Sequence, residues 1–350
     1  MPDNTVDFVK RAVIFVAVAL VPVLIWYLFD VLLIGMGAIL IAELLQVGAE
    51  PFGWLRLPRW FALFLSAVVI VCVAGGAIYL FGRGVASELQ VVIHRAEEAK
   101  NTIDATLRGS GLGKAILKHA EGVNIPLTNY LGQIFGGGIS FLAGTVVMIF
   151  AGIYIAAQPS LYREGLGMLF APQWRANANE TIAYLGGALR LWLLGQLIEM
   201  VIIGVLSGFA VWLIGLPSPL ALGVIAGVAE FVPYLGPILA AIPAVLVAIT
   251  VNLGAVLWTI LAYILIHQAE GHLIMPLIQR RMVYIPPAVM LMTIVTLSFL
   301  FGPLAIVFAA PFTVVLFVLV AKLYVRDKLE EKVPIPGEPA VHEPVDPGPS

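Results

Sequence analysis

The sequence predicts an all-α polytopic membrane protein with about eight membrane segments, including two Gly-Pro-broken helical hairpins in the C-terminal half. Three observations carry this. Of 350 residues, 61% are apolar and 11% charged, against roughly 25% charged in an average soluble domain. That is too little charge to cover a water-facing surface. Several uncharged apolar runs reach 18 residues or more, the length that crosses a hydrocarbon core of about 30 Å. Two still longer apolar stretches are each interrupted midway by Gly-Pro. A soluble enzyme and a disulfide scaffold are thereby excluded. The net charge of -2 gives no footing for nucleic acid, and the single Cys72 reads as a small packing residue.

Residues 1–82 form the N-terminal membrane helices. An uncharged run from Ala12 to Phe29, then Asp30, then Val31 to about Val47 read as an uncleaved hairpin, and Trp60 to Phe81 as the third span. Glu43 in the hairpin reads as structural. Residues 83–138 differ in kind. Val85, Leu89, Val92, Ile93, Ala96, Ile103 and Leu107 recur at helical spacing with charges off the stripe, so this insert is an amphipathic helical segment outside the bilayer core. Residues 139–190 hold the fourth span, Ile139 to Ala157, and a cytoplasmic loop. Residues 191–325 are the transport core. Residues 326–350 are a Pro-rich cytoplasmic tail, read as disordered from its prolines and interspersed acids.

Lysine and arginine near span ends stay cytoplasmic. Lys10, Arg11, Arg56 and Arg59 put both ends of the first hairpin inside, which makes the amphipathic insert external. Arg163, Arg175 and Arg190 then return the chain to the cytoplasm, and Lys322, Arg326 and Lys328 keep the C-terminus there. The expected location is a bacterial inner membrane, multi-pass, with both termini cytoplasmic.

In the C-terminal half, Leu191 to Leu213 and Ala255 to about Ile274 are spans, and each precedes a broken stretch. Leu220 to Ile249 is cut at Gly236-Pro237, and Ala288 to Leu323 at Gly302-Pro303. Proline removes an amide donor and clashes with the preceding turn, so each stretch becomes two short helices joined at membrane depth. Pro219 and Pro243 frame the first break and Pro287 and Pro311 the second, both pairs 24 residues apart. The same shift of 68 carries Glu199 onto His267, although the Gly-Pro pairs are out of register by two. Counting crossings gives two span-plus-hairpin units of opposite orientation. Inverted repeats with broken helices are how many secondary transporters build a midplane site.

Between Leu191 and Ala321 the only acidic residues are Glu199, Glu230 and Glu270, and the only lysines or arginines are Arg280 and Arg281. A carboxylate in lipid costs at least ~2.5 kcal/mol on insertion scales, so each must face a cavity, carry a proton or pair with something mobile. Glu270 shares a helix face with His267, and Gln196 with Glu199. Two roles stay open for Glu230 and Glu270: carrying protons or a cation with His267 nearby, or bracing exposed amides at the hairpin tips. Gly204-xxx-Gly208 and Gly223-xxx-Gly227 are helix-packing motifs without functional content of their own. No Walker loop, metal-ligand cluster or nucleophile elbow is legible, so neither enzyme activity nor a cofactor is expected.

The run GVAEFVPYLGPILAAIPAVLVAI from Gly223, IHQAEGHLIMPLIQRRMVYIPPAV from Ile266 and FGPLAIVFAAPF from Phe301 resemble the signature blocks of the autoinducer-2 exporter family of bacterial permeases. With the preceding GQLIEMVIIGVLSGFAVWLIGLP, the resemblance spans roughly residues 190 to 325. It implies a homo-oligomeric, pentameric inner-membrane secondary transporter. Its members are associated with export of the quorum-sensing signal autoinducer-2, and some with sodium or lithium exchange for protons. By position, the resemblance picks out Pro233, Tyr234, Gly236, Pro237, Pro243, Gln268, Glu270, Gly271, Pro276, Gly302 and Pro311. The sequence departs from the family pattern at His267 and His272, where amides are commoner, at Glu230, where Asn is frequent, and at Ala305, where glycine is usual.

The expected function is a secondary transporter for a small polar solute such as autoinducer-2, coupled to protons or sodium. A sodium (lithium)/proton antiporter is the first alternative, and a channel or membrane scaffold the alternative of another class. The candidate pathway comprises Glu199, Glu230, Pro233, Tyr234, Gly236, Pro237, Pro243, His267, Gln268, Glu270, Gly302, Pro303 and Pro311. Expected partners are the lipid bilayer, the solute or H+/Na+, and further copies of the chain.

Overall fold

A computed structural model describes residues 26–76, 138–279, 285–331 and 333–338, together with 15, 20, 23, 24 and 79. The amphipathic insert, Arg280, Arg281, the tail beyond 338 and most of the first span therefore lie outside the described residues, which are helical with no strand among them. Among the described residues, five helices are long and apolar enough to cross a membrane, six if one sharply bent pair is a single span, and three further apolar helices are shorter. The expected count of about eight is not confirmed, since most of the first span lies outside the described residues. Both broken stretches resolve into short pieces, as proline and glycine at their centres require.

The first described helix, α1 (Phe29–Gly53), holds Asp30 in its first turn and Pro51 near its end. The residue just before it, Leu28, is where the helix pauses. Helix α2 (Arg59–Gly76) packs on α1 through Ser66, whose hydroxyl donates to the Leu45 carbonyl at 2.9 Å. Most of α2 is exposed, and Cys72 with it. The packing role expected for that cysteine therefore finds no counterpart among the described residues. Helix α3 (Gly138–Ala157) lies along α1, where Gly152 sits against Ile41 and the Ala38 carbonyl. At Gln158 and Pro159 the chain turns by 97° into α4 (Pro159–Met168).

Helix α5 (Arg175–Ile214) is 40 residues long, about 60 Å at 1.5 Å per residue, twice the hydrocarbon thickness. Residues 158–190, expected as a cytoplasmic loop, are thus α4, a short turn at Pro172–Trp174 and the first four turns of α5. After Pro172 no proline interrupts the helix, and its polar residues are compatible with one. Gly215, in the left-handed conformation (φ 81°), ends it.

The first broken stretch is the hairpin α6 (Pro219–Ala229) and α7 (Gly236–Val251), followed by α8 (Leu253–Ala269). A widened π-helical turn at Glu270–Ile274 leads to α9 (Met275–Gln279). The second broken stretch is α10 (Pro287–Phe301), α11 (Pro303–Val307) and α12 (Ala309–Leu319). Pro243 and Pro311 lie inside helices without ending them.

Two apolar clusters flank α5. Its N-terminal half contributes Tyr184, Leu189, Trp192 and Leu193 to a core with α1, α10 and α12. Its C-terminal half contributes Val211 to a core with α6, α7 and α8. Gln196 and Glu199 fall between them. At the far end, Val333–Glu338, at the head of the expected disordered tail, are seated against α5. Ile335 is buried in the first core, Gly337 lies against Gly187, and Arg326 donates to both oxygens of Glu338 at 2.8 and 2.7 Å.

Candidate functional site

Close approach of two helices positions the site. The glycines of the two packing motifs face one another across α5 and α6. A methyl carbon built on Gly223 would lie 2.7 Å from the Gly204 carbonyl oxygen and 2.9 Å from Gly208 Cα, and one on Gly227 would lie 2.5 Å from the Met200 carbonyl oxygen. Only hydrogen fits at these contacts, so the backbones touch and the end of α6 is delivered to the middle of α5.

Glu230 is the cap residue at the end of α6 and is 1% exposed. The chain then reverses through Pro233 and Tyr234, the latter in the left-handed region (φ 65°). The reversal is tight enough that a methyl on Gly236 would lie 2.7 Å from both the Ala229 carbonyl oxygen and Glu230 Cα. Gly236 is thus required by close approach, and Pro237 then starts α7 with its fixed φ.

Gln196 Nε2 donates to the Glu230 carbonyl at 2.8 Å and reaches Glu199 Oε2 at 3.4 Å. Glu199 is 5% exposed. Together with Trp192, Pro233, Tyr234, Ile285 and Met290, Gln196 and Glu199 line a cavity of about 60 Å³. Glu270, 8% exposed, opens the widened turn after α8. Its Oε2 lies 2.5 Å from His267 Nδ1. One ligand atom from each of Glu230, His267 and Glu270 lies within 4.8 Å of the other two. Among the described residues, Glu230 Oε2, Glu199 Oε1 and His267 Nε2 are buried with no hydrogen-bond partner.

No lysine or arginine offsets this cluster from within Leu191–Gln279. Among the described cations, Arg190 pairs with Glu50, and Lys322 with Glu180 and Asp327 at 3.0 Å each. Three carboxylates and one imidazole thus share a low-dielectric space, an arrangement that calls for protons or a cation.

The structure therefore brings together Glu199, Glu230, Pro233, Tyr234, Gly236, His267 and Glu270. Pro237 and the exposed Gln268 line an apolar groove on the far side of His267 with Tyr263 and Ile264. Pro243 sits further along α7. Gly302 makes the second break with φ 85°, and its neighbours turn toward α1: Phe301 stacks on Phe29, and Ala305 is buried with Phe29 and Leu33. Pro303 begins α11, and Pro311 is buried in α12. Sequence reasoning placed Gln196 on the face of Glu199 but not in the pathway. The signal was an amide side chain one turn from a carboxylate in an apolar helix. It found no metal-ligand set because Glu230 and His267 are remote in the chain.

The fold and the site define a polytopic helical membrane protein that keeps two of its three scarce acidic groups, Glu230 and Glu270, at a broken or widened helix end. The family described as AI-2E family transporter matches residues 12–324, and the chain belongs to that family. It is 31% identical over 166 residues to the Bacillus subtilis (strain 168) protein named "Putative transport protein YrrI", covering 47% of each chain. It is 23% identical over 303 residues to a Thermotoga maritima protein named "Putative transport protein", covering 83% of this chain and 89% of that one. To the B. subtilis protein named "Putative transport protein YueF" it is 24% identical over 216 residues, covering 59% of this chain and 58% of that one. The alignment with the first of these relatives spans about half of its length.

Proposed function

We propose that the chain is a secondary transporter that moves a small polar solute such as autoinducer-2 across the bacterial inner membrane, coupled to protons or sodium through Glu230 and Glu270. The observation that carries this reading is the convergence of Glu230, His267 and Glu270, from two separate apolar segments, on one buried point. Such a cluster exchanges protons or an ion with less cost than it stays permanently charged, and an exchange linked to movement of the α6–α7 tip gives coupled transport. Transport as a class is supported by the family match. Both termini are read as cytoplasmic, and the working unit as a homo-oligomer.

The same cluster favours a second reading, sodium (lithium)/proton antiport, in which the carboxylates hold the cargo itself. Purified protein in liposomes, under imposed pH and sodium gradients with and without autoinducer-2, separates the two. Saturable, gradient-dependent flux that falls in Glu230→Gln and Glu270→Gln is expected. Unchanged flux with unchanged pH response in both variants would sink the coupling role, and large unitary currents would indicate a channel.

A further inference from the structure

We infer that Glu230, His267 and Glu270 form a binding site for a divalent first-row transition-metal ion of the zinc class. The inference goes beyond the proposed reading of this cluster, because an ion of this class held there would displace the protons or sodium assigned to the same groups. The donor set decides the class. Sodium, magnesium and calcium take oxygen ligands, whereas an imidazole nitrogen with carboxylate oxygens suits zinc and its first-row neighbours. Two carboxylates match the charge of a dication, and no lysine or arginine stands in for it within Leu191–Gln279.

Geometry agrees with the chemistry. The three ligand atoms already lie within 4.8 Å of one another. Bonds of about 2.1 Å to a tetrahedral ion would place them about 3.4 Å apart, a contraction within reach of side-chain rotation. Glu230 is 1% exposed, and its Oε2 has no hydrogen-bond partner among the described residues. His267 Nε2 is likewise buried and unpartnered, while Nδ1 contacts Glu270 Oε2 at 2.5 Å. Glu270 also opens the π-helical turn, a distortion frequent at functional positions. Gln196, bonded to the Glu230 carbonyl, also lines the cavity of about 60 Å³ beside Glu199.

The test uses the full chain, without an affinity tag, stripped of metal in detergent. Zn²⁺ is titrated against a chromophoric chelator, and Co²⁺ is followed by its visible absorption. The expected result is one ion per chain, with affinity reduced at least about tenfold in each of Glu230→Gln, His267→Gln and Glu270→Gln, and unchanged in His272→Gln, whose side chain is exposed. His267→Cys should retain zinc and add thiolate-to-cobalt absorption, which a merely structural histidine would not produce. Should the glutamine variants aggregate, the His267→Cys spectrum and a zinc-dependent rise in the Tm of the unmutated protein still decide. Less than one ion per chain, or wild-type affinity in all three glutamine variants, overturns the site whatever the liposome flux. Intact metal binding in a protein that shows no flux would overturn the transport reading and leave the site standing.

Discussion

Gln196 Nε2 donates to the Glu230 carbonyl at 2.8 Å, tying the middle of α5 to the tip of the hairpin that follows it. The bond lies inside an apolar bundle, where the alternative for the carbonyl is a costly absence of partner. Interhelical hydrogen bonds in membranes average about 0.6 kcal/mol and reach about 1.7. Gln196→Met keeps the volume and removes the donor. Its expected effect is a loss of stability in that range, read as a lower Tm in detergent, together with slower transport as the tip loosens. A Tm equal to wild type would show that the tip is held by other contacts.

Two glycine-to-alanine changes in apolar helices should have opposite signs. At Gly186 in α5 an added methyl meets nothing within 4 Å, so Gly186→Ala gains helix propensity, up to about 1 kcal/mol. At Gly223 the methyl meets the backbone of α5 at 2.7 and 2.9 Å. Backbone atoms cannot rotate away, and Gly223→Ala forces α5 and α6 apart at a cost on the order of 1–3 kcal/mol. Thermal unfolding of both variants checks the contrast. Equal shifts of the same sign would refute the close-packed arrangement and the delivery of Glu230 that depends on it.

Charge scarcity made the site residues legible: in a stretch with three acids, each one must be accounted for, and Glu199, Glu230 and Glu270 were found for that reason. Their meeting was not legible. It depends on the Gly204/Gly208 and Gly223/Gly227 surfaces facing one another, and a small-residue motif announces close packing without naming its partner. The two Gly-Pro breaks show the same limit. Proline dictates that the helix stops at Gly236 and at Gly302, but the apolar residues around them decide what each turn packs on. Phe231 and Tyr234 sit in the core of α5 and α10, whereas Phe301 goes to Phe29 of α1. Charge in residues 158–190 marks the membrane surface in the sequence but does not distinguish a loop from a helix. In the fold that charge decorates the end of a helix longer than the bilayer is thick.

The C-terminal strap should be sensitive to acid. Hydrogen bonds from the Arg326 guanidinium hold the Glu338 carboxyl below the usual carboxylate range. A carboxyl lowered in the folded state contributes stability that is present above its unfolded value, about 4.3, and is lost as pH falls through the lowered folded value. At neutral pH Val333–Glu338 therefore stay seated, and they release only in strong acid. Hydrogen exchange over these residues, corrected for intrinsic rates, should show protection at pH 7 that falls away in acid below the ordinary carboxylate range. In Glu338→Gln that protection should be low at both. The same acid response in Glu338→Gln would assign it to another group.

Asn252 is the single residue between α7 and α8, and its side-chain oxygen accepts from the Ala255 amide at 2.8 Å. It satisfies one of the orphan donors at the start of α8, so Asn252→Ala should cost about 1 kcal/mol, while Asn252→Ser keeps the cap at little cost. The consequence extends beyond stability, because α8 carries His267 and Glu270 at its far end. A start displaced by one residue would rotate that end by about 100°, swinging Glu270 away from Glu230. Asn252→Ala is therefore expected to lower Tm and transport together, and Asn252→Ser to restore both. A variant that loses stability but transports at the wild-type rate would show that the register of α8 is fixed by its packing on α5 and α7 rather than by its first turn.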